Sequence, residues 1–81
     1  MNEILKFKGR LQEKTREAVG LTLRIKGLVS SLRDLLDPFE EIEDLKADII
    51  SEQAIELAAR QIEYKEVKAE IRAIKKALGK S

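Results

Sequence analysis

The sequence predicts an all-α fold: an antiparallel hairpin of two long helices, coiled-coil-like, dimerising into a four-helix bundle. Three observations carry that expectation. The composition is 43% hydrophobic and 38% charged, with four Gly and one Pro in 81 residues, a balance that favours long helices over a mixed fold. Apolar residues recur every seven positions in both halves. The sole proline, Pro38, stands at the midpoint inside a dense acidic stretch. The length allows one domain, residues 1–81.

The first helix is expected over about residues 2–36. Ile4, Leu11, Ala18, Ile25 and Leu32 fall seven apart, and Phe7, Lys14, Leu21, Leu28 and Leu35 follow at an offset of three. Five successive heptads with a single polar interruption, Lys14, form a coiled-coil seam. Val29 and Leu36 widen it toward the midpoint. Lys14 is read as snorkelling at the edge of the seam.

The connection follows from Asp37-Pro38-Phe39-Glu40. Pro38 disfavours helical dihedrals at Asp37, so the first helix should stop there. Asp37 has the form of an N-cap, Pro38 suits the first helical position, and Glu40 sits where a capping-box acid belongs. A short helical turn is therefore expected over 38–43. The surrounding acid is read first as complementing the positive end of the second helix.

The second helix is expected from about 44–48 to 78. Its seam is read as Ile50, Ala54, Leu57, Gln61, Tyr64, Val67, Ile71, Ile74 and Leu78. Gly79 is the expected C-cap, with Lys75, Lys76 and Lys80 suiting the negative dipole end. A further stripe, Ile55, Ala58, Ala59, Ile62, Ala69, Ala73 and Ala77, is placed beside the seam.

Each helix would be about 50 Å long, and a two-helix hairpin that thin closes no core. A partner is expected, most simply a second copy running antiparallel. Candidate interface residues are Ile25, Leu28, Leu32, Ile55, Ala59, Ile62 and Tyr64. Gly20, Gly27 and Ser31 lie near the first seam, read either as a site of close approach or as tolerated weak spots.

The chemistry is narrowed by absence. There is no Cys and no His, which removes disulfides, thiol and imidazole catalysis and the usual zinc sites. The acids lack the Asp-rich, Gly-centred spacing of a calcium loop. No catalytic residue, cofactor or metal site is expected, and the chain is read as not an enzyme. The N-terminal MNEILKFKGR has no apolar run of signal-peptide length, and nothing approaches the ~20 apolar residues of a membrane span. A cytoplasmic location with no membrane partner is the expectation.

Charge is unevenly spread along the chain. Residues 1–33 hold eight Lys/Arg against three Glu, net +5; residues 34–48 hold seven Asp/Glu against Lys46, net −6; residues 49–81 hold seven Lys/Arg against five Glu, net +2. In a hairpin the two chain ends meet, so the open end is basic and the tip acidic. Lys6, Lys8, Arg10, Arg72, Lys75 and Lys76 are candidate nucleic-acid contacts. Against that reading, the Lys and Arg appear interleaved with Glu as on ordinary solvated helices.

From Leu32 to Gly79, the order LRDLLDPFEEIEDL followed by LAARQIEYKEVKAEIRAIKKALG resembles small helical-hairpin proteins of unknown function carried by Mu-like prophages. That resemblance implies a bacterial, phage-related setting and no activity or site residues. Two functions are carried forward: a self-associating structural or protein–protein interaction module with an unidentified protein partner, and a small DNA-associated accessory factor acting through the basic end.

Overall fold

The computed structural model describes residues 2–79. Helix α1 spans Asn2–Leu35 and helix α2 spans Ala47–Gly79, antiparallel and joined by a connection that holds one short 3-10 turn, Ile42–Asp44. The hairpin measures 63 × 15 × 14 Å, a rod of two helices side by side. The all-α hairpin expected from the heptads is what the chain forms.

In α1 the seam runs as read. Ala18, Leu28 and Leu32 are buried, and Phe7, Leu11, Leu21, Ile25 and Leu35 are half-buried along the same line. Ile4, read as the first seam residue, is exposed near the end of the helix, and Val29 and Leu36 are exposed and do not widen the hairpin's own contact. In α2 the seam takes Ile50, Leu57, Tyr64, Val67, Ile71, Ile74 and Leu78, but two members change. Ala54 and Gln61 are exposed, while Gln53 and Arg60 are half-buried. A strict three-four alternation from Ile50 passes through 53 and 60; Ala54 is small and Gln61 polar, and neither outweighs the register of a straight helix. The best-closed stretch packs Ala18 with Val67 and Ile71, flanked by Leu11, Leu21 and Tyr64.

The connection departs from expectation. Residues 38–43 form no continuous helical turn. The Glu40 N–H donates to the Asp37 carbonyl at 3.2 Å, closing a β-turn, and the Phe39 N–H donates to Asp37 Oδ1 at 3.0 Å. The 3-10 turn comes after it, with Asp44 N–H donating to the Glu41 carbonyl at 2.9 Å. Asp37 therefore caps the β-turn and not α2, which starts ten residues later, and Glu40 closes no capping box. Only Asp48 lies in the first turn of α2. The reason is geometric: two antiparallel helices about 10 Å apart need a bridge across the gap, and a helix begun at Pro38 would have to bend back sharply. At the far end Gly79 keeps a negative φ, so it is not a left-handed cap; Lys80 lies outside the described residues.

The exposed area is 6606 Å² for a 9.2 kDa chain. A compact monomer of that mass would expose about 4,900 Å². The excess, roughly 1,700 Å², exceeds the ~800 Å² that each partner contributes to a standard interface.

Candidate assembly face

The seams define where every other residue points. In an antiparallel pair, the positions flanking one side of the seam in α1 meet their equivalents from α2, and the same holds on the opposite side. Two grooves with different chemistry result.

One groove is lined by Lys14, Glu17 and Leu21 against Glu63, Glu66, Val67 and Glu70, and further along by Arg24, Gly27 and Ser31 against Glu52, Gln53 and Glu56. This is the ion-paired face. Arg24 holds Glu56 in a two-pronged pair, Nε to Oε2 at 2.6 Å and Nη2 to Oε1 at 2.5 Å. Lys14 reaches across to Glu70 at 2.8 Å and along its own helix to Glu17 at 3.4 Å. So Lys14 does more than snorkel: it ties the two helices together. Hydrogen bonding from Arg24 lowers the Glu56 carboxyl below its usual range, and hydrogen bonding to Glu70 raises Lys14. All four groups are well hydrated, so salt screens both pairs.

The other groove is lined by Thr15, Ala18, Val19, Thr22 and Leu23 against Tyr64, Lys68, Ile71 and Lys75, continuing into Ile25, Lys26 and Gln61. Thr15 and Thr22 look polar in sequence. Their hydroxyls, however, donate to the carbonyls of Leu11 and Ala18 at 2.7 and 2.8 Å, one turn back. That leaves their methyl groups for the groove. Val19 and Leu23 stand 56% and 69% exposed there.

Extending both registers gives the full face. On the apolar side fall Leu5, Lys8, Gln12, Thr15, Val19, Thr22, Lys26, Val29, Arg33 and Leu36 from α1 and the region beside it, with Ser51, Ala54, Ala58, Gln61, Lys65, Lys68, Arg72 and Lys75 from α2. No Asp or Glu is among them. On the opposite side fall Glu3, Glu13, Glu17, Asp34, Glu52, Glu56, Glu63, Glu66 and Glu70, with the cations Lys6, Arg10 and Arg24 and, from the seam itself, Lys14 and Arg60. The interleaving read along the chain therefore holds on one side only: the Asp and Glu flanking the seams lie on the ion-paired side, and Lys and Arg lie on both.

The candidate interface residues divide accordingly. Leu28 and Leu32 are buried inside the hairpin and are spent on its own fold. Ile25 and Tyr64 are half-buried at the floor of the apolar groove. Ile55 and Ile62, 68% and 59% exposed, lie on the outer side of α2, away from the seam and not beside it. Ala69 shares that outer side; Ala58, on the acid-free side, and Ala73, on the ion-paired side, are exposed as well, while Ala59 and Ala77 are half-buried. Val19 and Leu23 were not singled out from sequence; their spacing from Thr15 and Thr22 was a signal obscured by the threonines' polarity. The candidate nucleic-acid residues split as well. Lys8, Arg72 and Lys75 lie on the acid-free face, Lys6 and Arg10 on the opposite face, and Lys76 on the outer edge of α2.

Among the described residues no group of three or more Asp or Glu is arranged to hold a metal ion, and no helix is long and apolar enough to cross a membrane. Comparison with protein-family models, with curated proteins and with solved structures returns no match.

Proposed function

We propose that the chain is a non-enzymatic assembly module whose first partner is a second copy of itself, joined through the acid-free face into an antiparallel four-helix bundle. The observation that supports this is where things fall along that face. The apolar groove around Val19, Leu23 and Tyr64 sits at mid-length beside Lys65 and Lys68, the cations Lys8, Arg72 and Lys75 lie toward the open end with Lys26 and Arg33 on the tip-side half, and the net −6 of residues 34–48 lies at the tip. A two-fold axis through the groove stacks apolar on apolar. It also sets each basic open end beside the other copy's acidic tip and closes the assembly. A parallel pairing would bring Lys68, Arg72 and Lys75 against their own copies.

Sedimentation equilibrium tests it. A dimer at micromolar concentration is expected, reverting toward monomer in Val19→Glu/Leu23→Glu. A well-folded wild-type monomer overturns the proposal.

The second reading, a nucleic-acid accessory factor, is favoured by one feature: Lys8, Lys26, Arg33, Lys65, Lys68, Arg72 and Lys75 share a face without a single acid. Phosphate binding there would compete with the dimer. A gel shift that weakens steeply with salt, and that disappears when these cations are neutralised, would place this reading first.

A further inference from the structure

The tip carries an apolar surface that the hairpin itself does not use. Phe39 is 90% exposed and Ile42 85%, and Leu36, just before the turn, is 57% exposed. The β-turn does not require them. Its hydrogen bonds run from the Phe39 and Glu40 N–H groups to Asp37, and backbone alone supplies the donors. A polar residue would serve the turn at least as well. Those same bonds hold Phe39 in place, so its ring is presented outward on an ordered support, which reduces what must be immobilised on docking.

We infer that Phe39 and Ile42 are the anchors by which each tip docks onto the open end of a second copy. This rests on the antiparallel dimer and names the contacts at its two ends. The open end offers apolar surface of its own: Leu5 and Ile4 are 68% and 37% exposed, and Phe7, in the same stretch of α1, is half-buried. Leu5 and Leu36 occupy the same face, at opposite ends of α1. Thirty-one residues of helix separate them, about 46 Å, so they meet only between copies. The charges agree with the apolar match. Acids at 37, 40, 41, 43 and 44 flank the anchors along the chain, and Lys8, Arg72 and Lys75 lie on the acid-free face of the open-end half. An exposed aromatic residue flanked by charge has the form of an interface hot spot.

The full chain is the test material. In Phe39→Ser/Ile42→Ser, circular dichroism should show the helicity of the wild type at high protein concentration, because neither side chain supports the hairpin. The dimer dissociation constant should rise at least tenfold. A photoreactive benzoyl-phenylalanine in place of Phe39 should cross-link to the Ile4–Lys8 stretch of the other copy, mapped by mass spectrometry. An unchanged dissociation constant overturns this inference and leaves the antiparallel dimer standing, whereas cross-links from tip to tip overturn both. A monomeric wild type removes both.

Discussion

Gln53 and Arg60 put polar atoms where the two helices press together. Gln53 Oε1 and Arg60 Nε are buried and have no hydrogen-bond partner, although Arg60 pairs at its outer end with Glu63 at 3.1 Å. A buried polar atom left unpaired carries its desolvation penalty without return. Replacing both with Leu should therefore raise the unfolding free energy read from a urea titration by about 1–3 kcal/mol per site, since each change removes an unpaired group and adds apolar burial. A fall in that free energy would mean that these residues find partners in the assembly. Leu28, 4% exposed, gives the opposite case: Leu28→Asp places an unpaired charge in the seam and should abolish the helical signal altogether. The ion pairs set a weaker pH dependence. Glu56 is lowered in the folded chain, so its contribution is present above the ordinary carboxylate range and is lost as pH falls through the lowered value. Lys14 is raised, so its contribution is present below the ordinary lysine range and is lost as pH rises through the raised value. Glu56→Gln should flatten the acid limb of a stability–pH curve and leave the alkaline limb unchanged.

At the scale of the element, α1 holds Gly9, Gly20 and Gly27 inside a helix of 34 residues. A Cβ added at Gly20 or Gly27 would meet nothing within 4 Å, so the hairpin does not require either glycine. Alanine at each should stabilise α1 by about 1 kcal/mol. Thermal melts of Gly20→Ala and Gly27→Ala should shift upward with no change in dimer affinity, because both lie on the ion-paired side, away from the acid-free face. A weakened dimer would instead bring that side into the assembly. The connection behaves as an element too. Its β-turn and 3-10 turn let α2 start fresh at Ala47, and this is what leaves Phe39 and Ile42 outside both helical registers.

For the whole molecule, area and charge point the same way. A hairpin exposing 6606 Å² has surface to spare, and the groove around Val19, Leu23 and Tyr64 puts one apolar part of that surface at mid-length. Each exposed cross-copy charge pair is worth only ~0.2–1 kcal/mol, so charge selects the orientation while apolar burial supplies affinity. Converting Glu40, Glu41 and Glu43 to Gln should weaken the dimer modestly. High salt should erase that difference between variant and wild type. Spin labels at Glu41 and Lys6 should report a short distance between positions 41 and 6 of different copies, and a long one between the two copies of position 41. A short distance between the two 41 positions would exclude the antiparallel arrangement.

Much of this was legible in the chain itself. Ile4 to Leu35 at heptad spacing determined α1 and its buried line, and Ile50, Leu57, Tyr64, Ile71 and Leu78 determined α2. Pro38 placed the break between them, because periodicity and proline are local constraints that act whatever surrounds them. Three features were decided only by tertiary structure. Gln53 and Arg60 displaced Ala54 and Gln61 from the seam, because a helix packed along its length keeps one register even where apolar residues lie beside it. Asp37 became the cap of a β-turn, because the chain had to cross between two helices before starting the second. The gathering of the seam-flanking acids on one side emerged only when the antiparallel pairing set like positions of α1 and α2 side by side: charge along a chain alternates with the order of residues, whereas charge on a surface follows the direction in which each side chain leaves its helix.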